Sequence, residues 1–455
     1  MAGISTILEV ARRALMGQRL GMNTTSHNIA NASTPGFSRQ RVDLVASMPL
    51  PVQGGYIGTG VLADHIGRIR ERFIDQQIRS SNDLLGDASA QYSILSQVEA
   101  LVNEPSDVGL GNALNEFFLA FQNLAVRPEE SSSRNAVLQQ GTLLTQKFYS
   151  LNNSLTQLRD NLIDDVKLKI QKVNQLTKEL SDLDIMIVSA AAVGSDPSDL
   201  KDSRDLKLEE LSRLVNTKVS EDERGSIMVS VGGTVISSRG GAVALRVQVT
   251  GSQIAIVGDI SGSEVRAPSG ELGGAMKIYN TTLPDYMAKL DQIAATLISR
   301  VNTLHSGGRG LGSPAPTGLN FFTGTTAQSI AVNSSVLSNT DNIAASADGA
   351  PGNNQTAMAI AAVQNEKLMS GNSISISQFY NGWVSTIGAS INSAEGTSKA
   401  QELVLQQMEN QRNQVSSVSL DEEMVNLMKY QRAFDAAARV VATVDDLFQT
   451  ILDMR

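Results

Sequence analysis

A mainly α-helical, multidomain architecture is predicted, and three observations predict it. Apolar residues recur at helical spacing over most of the chain, with a seven-residue repeat at both ends. One periodic stretch is much longer than a globular helix needs. The helical period gives way to strand alternation only once, near the middle. These divide the chain into discontinuous N- and C-terminal coiled-coil helices (1–56 with 406–455), a long helical-bundle rod (57–215 with 271–405) and one small inserted β domain (216–270). At 455 residues the chain exceeds a single compact core. Its 41% hydrophobic share can bury cores, while only 4% aromatic residues and a single tryptophan, Trp383, suit helices packed along thin seams.

The first helix is read from Ile4, Leu8, Ala11, Leu15, Met22 and Ile29, a heptad stripe interrupted at Gln18 and Thr25. The turn Asn31-Ala-Ser-Thr-Pro35-Gly36 stops it, because proline and glycine together cannot continue a helix. Residues 50–70, with several glycines and alternating apolar positions, suit a hairpin or extended linker. Helical spacing returns from Phe73 through Ile78, Leu85, Tyr92, Leu95 and Leu101. The longest stretch runs from Leu144 to Ile187 with spacings of three and four and a slip near Val166 to Ile170. It predicts a rod of about 65 Å. Strands follow at 226–236, 243–249 and 252–257. Helical spacing resumes from Met276 to Leu304. Loops rich in Gly, Ser and Asn fill 305–320 and 339–356, and a last helical tract ends on the seam Met424, Leu427, Phe434, Ala438, Val441, Phe448 and Leu452. A chain that goes out along one set of rods and returns along another brings its ends together.

Charge and composition exclude several functions. The net charge is −9 with no dense Lys/Arg run, so sustained nucleic-acid binding is not expected. No cysteine is present for a disulfide or a thiolate metal site. No apolar run approaches the roughly 20 residues of a membrane span, so no membrane insertion is expected. Arg12, Arg13 and Arg19 interrupt the apolar pattern of the first twenty residues, which therefore do not form a secretory signal peptide.

Catalytic signals are poor. His27, His65 and His305 have no metal-binding spacing, and Gly307-Gly-Arg-Gly-Leu-Gly312 lacks the Gly-Lys-Ser/Thr ending of a phosphate cradle. Asp421-Glu-Glu423 after Ser419 reads as a capped helix start, where acids meet the positive dipole end. Neither a cofactor nor an enzymatic activity is expected.

The run Thr25-Ser-His-Asn28-Ile29-Ala30-Asn31-Ala-Ser-Thr-Pro35-Gly36-Phe37-Ser-Arg-Gln40 resembles the N-terminal signature of flagellar axial proteins, the family of rod, hook and hook-associated subunits. Asp202-Ser-Arg-Asp205, Leu206-Lys-Leu-Glu-Glu-Leu-Ser-Arg-Leu-Val215, Gly270-Glu-Leu-Gly-Gly274, Gly318-Leu-Asn-Phe-Phe322 and Val418-Ser-Leu-Asp-Glu-Glu-Met-Val-Asn-Leu427 resemble its hook-associated members. The resemblance implies a structural subunit of the hook–filament junction, a homo-oligomeric helical ring touching the hook protein and an adjacent hook-associated protein. It implies passage through the flagellar type III export apparatus without a cleaved signal to an extracellular place in the flagellum. An export chaperone would hold the C-terminal helix. Many relatives carry a second outer domain after the Phe-Phe pair, whereas here helices resume soon after Phe322, so one outer domain is expected.

Plainer readings stand beside this one. A helical stripe more often packs inside its own chain, though the Asn-Ile-Ala-Asn context favours packing between subunits. Asn28 and Asn31 read as cap and turn residues and Gly36 as a turn conformer. An adhesive β domain would need an aromatic patch, and 216–270 holds no Trp, Tyr or Phe.

Overall fold

The apolar seam expected between Leu144 and Ile187 lies inside one helix, α4 (Ser131–Ala192), whose 62 residues extend about 93 Å. The structure, a computed structural model, describes residues 2–52, 55–104 and 106–453; the side chains of Ala2, Gly3, Ile4, Val52, Ile451 and Leu452 lie outside the described set. Leu158, Leu162, Val166, Ile170 and Val173 are all buried, so the expected slip is a run of four-residue steps that keeps the seam continuous.

Other helices line up along α4 because none can cover its own stripe. Helix α2 (Arg72–Val102) runs antiparallel to α10 (Ile376–Ser416), Ser89 meeting Ser398 and Glu104 meeting Tyr380. Helices α3 (Leu110–Val126), α5 (Ser198–Leu214), α6 (Gly270–Lys277) and α7 (Leu283–Gly307) complete the rod, a π turn at Ile278–Thr282 joining the last two. Helix α10 runs without a break through 405 and 406 and stops at Ser416. After residues 417–419 the last helix, α11 (Leu420–Asp453), begins. At the other end of the chain α1 (Ala2–Ala30) leads into a hairpin. Its strands β1 (Gln40–Ala46) and β4 (Val61–Arg68) pair antiparallel, and β2 (Leu50–Val52) pairs with β3 (Gly55–Ile57) toward the tip.

The strand module begins where the period changes. Strands β5 (Thr217–Glu221), β6 (Ile227–Val231), β7 (Thr234–Ser238) and β8 (Gly241–Ala242) form one antiparallel sheet. Strands β9 (Leu245–Thr250) and β10 (Gln253–Gly258) form a separate pair. The module is not self-contained. Val229, Ile236, Leu245 and Ile256 join the same buried cluster as the α4 seam. The Asn174 side chain on α4 accepts from the Leu245 N–H and donates to its carbonyl, both at 2.8 Å. Asp184 on α4 and Arg204 on α5, both buried, meet at 3.3 Å, while Asp184 also accepts from the Ile227 N–H and Arg204 donates to the Gly225 carbonyl.

The far end of the rod is closed by aromatic rings. Phe117 and Phe121 on α3 pack against Phe321 and Phe322, the last two residues of the Gly-Leu-Asn-Phe-Phe run, at 5.4–5.6 Å between centroids. A Cβ at Gly141 on α4 would stand 2.8 Å from the Phe321 ring, so this helix carries glycine where the ring crosses it. The small pair β11 (Phe322–Thr323) and β12 (Ala331–Val332), then α8 (Ser334–Ser338) and α9 (Gln355–Ala362), cap this end. His305 sits under the cap, 1% exposed. Its Nδ1–H donates to the Leu319 carbonyl at 2.6 Å, and its Nε2 accepts the Ala344 N–H at 3.0 Å.

Burial lowers the His305 pKa to about 4 from 6.5, against a weaker opposing pull from the Leu319 carbonyl. The folded state therefore holds a neutral ring, and the unfolded chain takes up a proton first as pH falls. The stability this ring contributes is complete above pH 6.5 and is lost between 6.5 and 4. By pH 5 the loss is about 2 kcal/mol, at 1.36 kcal/mol per pKa unit. His305→Gln removes this titration. Denaturant unfolding at pH 7 and pH 5 should show the gap between the native protein and the variant shrinking by about that amount. An unchanged gap would show that the ring is not held neutral.

Candidate functional site

The two chain ends meet, and they do so outside the main apolar cluster. Helices α1 and α11 lie antiparallel: Asn28 is bonded to Glu423, and a Cβ at Gly21 would stand 2.7 Å from the Tyr430 ring. The contact faces are narrow. On α1 the buried positions are Ala11, Gly17, Gly21, Thr24, Thr25 and Asn28, small residues that let a helix and a hairpin approach closely. On α11 they are Glu423, Ala437 and Val444.

The seam residues read from the sequence divide into two sets. Leu15, Met22, Ile29, Leu427, Phe434, Val441 and Phe448 are half-buried, and Ala11 is buried. Leu8 at 40%, Met424 at 53% and Ala438 face outward instead. The heptad on α11 is shifted: Glu423, Tyr430, Ala437 and Val444 hold the inward positions that a purely apolar reading gave to Met424 and Ala438. A charged residue at an inward heptad position is invisible to a search for apolar repeats. The side chains of Ile4 and Leu452 lie outside the described residues.

The signature turn has a specific task. Asn31 closes the end of α1, its Nδ2 and backbone N–H both donating to the His27 carbonyl at 3.1 Å. Gly36 has φ +77°, a conformation that L side chains rarely adopt, and Phe37 turns back onto His27 with ring centroids 5.4 Å apart. Ala30 and Pro35 are exposed. Asn28 is not a cap of its own helix. Its Oδ1 accepts the Gln40 N–H at 3.0 Å, and its Nδ2 donates to the Gln40 carbonyl at 2.9 Å and to Glu423 Oε2 at 3.0 Å. The side-chain amide thus stands in for a strand neighbour of Gln40, binding first helix, hairpin and last helix together.

Charged residues extend this knot into the rod. Arg39 donates from Nε to Glu423 at 2.8 Å and from a terminal nitrogen to Glu422 at 2.8 Å. Ser38 donates its N–H and its hydroxyl to Asp202 at 2.8 and 2.7 Å. Arg68 reaches Asp202 and Asp205, Arg70 reaches Asp75 at 2.8 Å, and Arg412 on α10 reaches Glu209. Burial opposes the charge on Arg70, yet Asp75, Asp205 and Glu209 together hold its pKa above the ordinary value. Burial raises the Glu209 carboxyl, and Arg412 and Arg70 pull it back only in part. The capped start expected for α11 is present, with the Glu422 N–H on the Ser419 hydroxyl at 3.4 Å, but Glu423 serves the joint as well.

Asp202, Asp205 and Glu209 stand on one face of α5 at spacings of three and four, opposite Arg68 and Arg70. That acidic stripe was the signal in the sequence that could have revealed the joint. Among the described residues no group of three His, Asp or Glu is placed to hold a metal, and no helix is long and apolar enough to cross a membrane.

Comparison with known proteins agrees with this architecture. Residues 95–322 match the family described as flagellar hook-associated protein FlgK helical domain. Residues 8–37 match that of the flagella basal body rod protein, and 409–454 that of the flagellar basal body rod FlgEFG protein C-terminal. The flagellar hook-associated protein 1 of Bacillus subtilis is 31% identical, over 98% of this chain and 97% of that protein. The chain belongs to the flagellar hook-associated protein 1 family. Its role is a structural one in the flagellum. The Escherichia coli member is 22% identical over 99% of this chain and all of its own; that alignment spans 548 positions, so it carries segments this 455-residue chain lacks. A solved structure titled as the flagellar hook junction protein FlgK from Burkholderia pseudomallei shares the fold, with a TM-score of 0.65 at 15% identity. It covers 76% of this chain and all of its own.

Glu423 is 2% exposed and its neighbour Glu422 is 63% exposed at the side chain, although both pair with Arg39. Glu423→Gln should therefore weaken the α1–α11 pair by about 2 kcal/mol, and Glu422→Gln by a few tenths at most. Hydrogen exchange of backbone amides in 5–30 reads the difference. Equal effects from the two substitutions would show that the buried contact does not hold the ends.

Proposed function

We propose that this chain is the subunit that joins hook to filament, working by packing its terminal helix pairs against those of neighbouring copies. The observation that carries this reading is the outer surface of the pair. Ile7, Leu8 and Met16 on α1 and Met424, Val425, Met428, Val440 and Leu447 on α11 are each at least 40% exposed. A monomer rarely leaves so much apolar surface on two thin helices, and neighbouring copies would cover it. The half-buried seam and these outward residues together form the assembly interface. The role is non-enzymatic.

In this reading 1–56 with 406–455 builds the inner tube, 57–215 with 271–405 the rod around it, and 216–270 the outer module. The ring of copies meets the hook protein on one side and an adjacent hook-associated protein on the other. Before assembly an export chaperone covers α11, and the chain passes through the flagellar type III export apparatus without a cleaved signal. Its final place is extracellular. The exposed apolar face of α11 supports the chaperone contact, since such a face needs cover during transit.

Breaking the seam tests the reading. Leu427 and Phe434 lie two helical turns apart on α11, and both are half-buried. Leu427→Ala with Phe434→Ala removes about 1–3 kcal/mol at each position, and the loss repeats in every copy of an assembly. Cells carrying the double variant should build hooks and release unassembled filament subunits into the medium. Electron microscopy counts the bare hooks, and full-length filaments in normal numbers would refute the junction role.

A further inference from the structure

The terminal pair carries a second recognition element, distinct from the seam between its own helices. On the side of α1 that faces the hairpin lies a groove with Met16, Leu20, Val61 and Leu62 along it and Arg13 and Arg19 at its edge. Its open volume is about 340 Å³. Arg13 is engaged by Glu9, the one acid of α1, and by Ser47. Arg19 is exposed and has no ion-pair partner among the described residues. The groove is apolar along its length with an uncompensated positive charge at the rim.

Helix α11 carries the complementary shape. Val440 at 43% and Leu447 at 49% are exposed seven residues apart, a ridge on one helical face. Asp445 and Asp446 flank its outer end, both exposed and without ion-pair partners among the described residues. The ridge cannot reach the groove of its own chain. Carried on from Gly21 beside Tyr430, the antiparallel register sets Leu447 level with residue 4, about 20 Å along the axis from the groove centre at 1.5 Å per residue. It also sets Arg12 level with Arg439 and Arg19 level with Arg432, so each pair is net basic at mid-length, where Glu9 and Asp435 offset part of the charge, and acidic at its tip.

We propose that the groove between α1 and β4 receives the Val440–Leu447 ridge of a second copy, displaced along the axis, with Asp446 of that copy against Arg19. The proposal rests on the junction reading above and names which surfaces meet. Charge bands of opposite sign set the stagger between copies, while the apolar ridge and groove supply the burial. Two copies packed level would place basic band on basic band, an arrangement that like charges disfavour.

Charge reversal and its rescue test the pairing in full-length chains, expressed in cells lacking the native copy. Arg19→Glu alone and Asp446→Arg alone should each lower the fraction of hooks bearing filaments roughly tenfold, because each puts like charges together. The two together should restore most of it. Both side chains are exposed, so circular dichroism of the purified monomers should match the native protein. The absence of cysteine permits a direct check with Leu62→Cys and Leu447→Cys in one chain. Oxidation of isolated flagella should then give covalent ladders of this subunit, because about 20 Å inside one chain is far beyond disulfide reach. Filaments in normal numbers from both single reversals, no gain from the combined reversal, or the absence of a ladder would each overturn the proposal. If the seam variant Leu427→Ala/Phe434→Ala still leaves bare hooks in that case, only the groove assignment falls and the junction role stands.

Discussion

Everything in the rod depends on one constraint: a helix of 62 residues with a single apolar seam must be covered along its whole length. No fold of α4 on itself can do that. The chain therefore lays α3, α5, α7 and the strand module along it in turn, so the buried cluster runs from the aromatic cap to the sheets without a break. The β module joins this arrangement because α4 keeps presenting apolar residues at its level. Asn174, Ser181 and Asp184 then satisfy the strand groups that face the helix. Where rings must cross α4 closely the side chain is reduced to nothing, as at Gly141.

The terminal pair is built on the opposite principle. Its fully buried residues on α1 are small, and the larger seam residues Leu15, Met22, Leu427 and Phe434 are only half-buried, so hydrophobic contact alone does not set the orientation. Direction comes instead from polar groups held out of water. Asn28 and Glu423 lock the two helices to the start of the hairpin, and Ser38, Arg68 and Arg70 tie that hairpin to the acidic face of α5. Removing one member of such a set leaves a partner charge buried and uncompensated, so the geometry is held more firmly than the net energy of the pairs suggests. The rod is thereby tied to a thin, apolar-surfaced helix pair through buried polar contacts.

Much of this was legible in the chain. Period 3.6 and period 2 mark the helices and strands because side-chain direction follows backbone geometry directly. The long seam, the change of period near 216 and the turn at Pro35–Gly36 all appear where the spacing put them. The out-and-back order of the helical tracts also pointed to the meeting of the ends. Less legible was the register of α11, where Glu423 takes a heptad position and moves the seam away from Met424 and Ala438. Apolar periodicity cannot locate a buried carboxylate, since its inward placement depends on Arg39 and Asn28 arriving from elsewhere in the chain.

The sequence alone thus determined where the long helices run, where the period changes from helix to strand, and the fact that both ends carry apolar stripes, though it merged β6 and β7 into one strand and missed β1. These are properties of spacing, readable within one helical turn or one strand. Only the tertiary structure decided that Asn28 serves Gln40 rather than its own helix end, and that the acids of α5 serve the hairpin arginines. It also decided which half of each terminal stripe is turned inward. Those outcomes depend on groups far apart in the chain, some of them nearly 400 residues, being brought within hydrogen-bond distance, as Asn28 and Glu423 are at 3.0 Å. A donor and an acceptor select each other by position in space, and position in space exists only once the rod has packed.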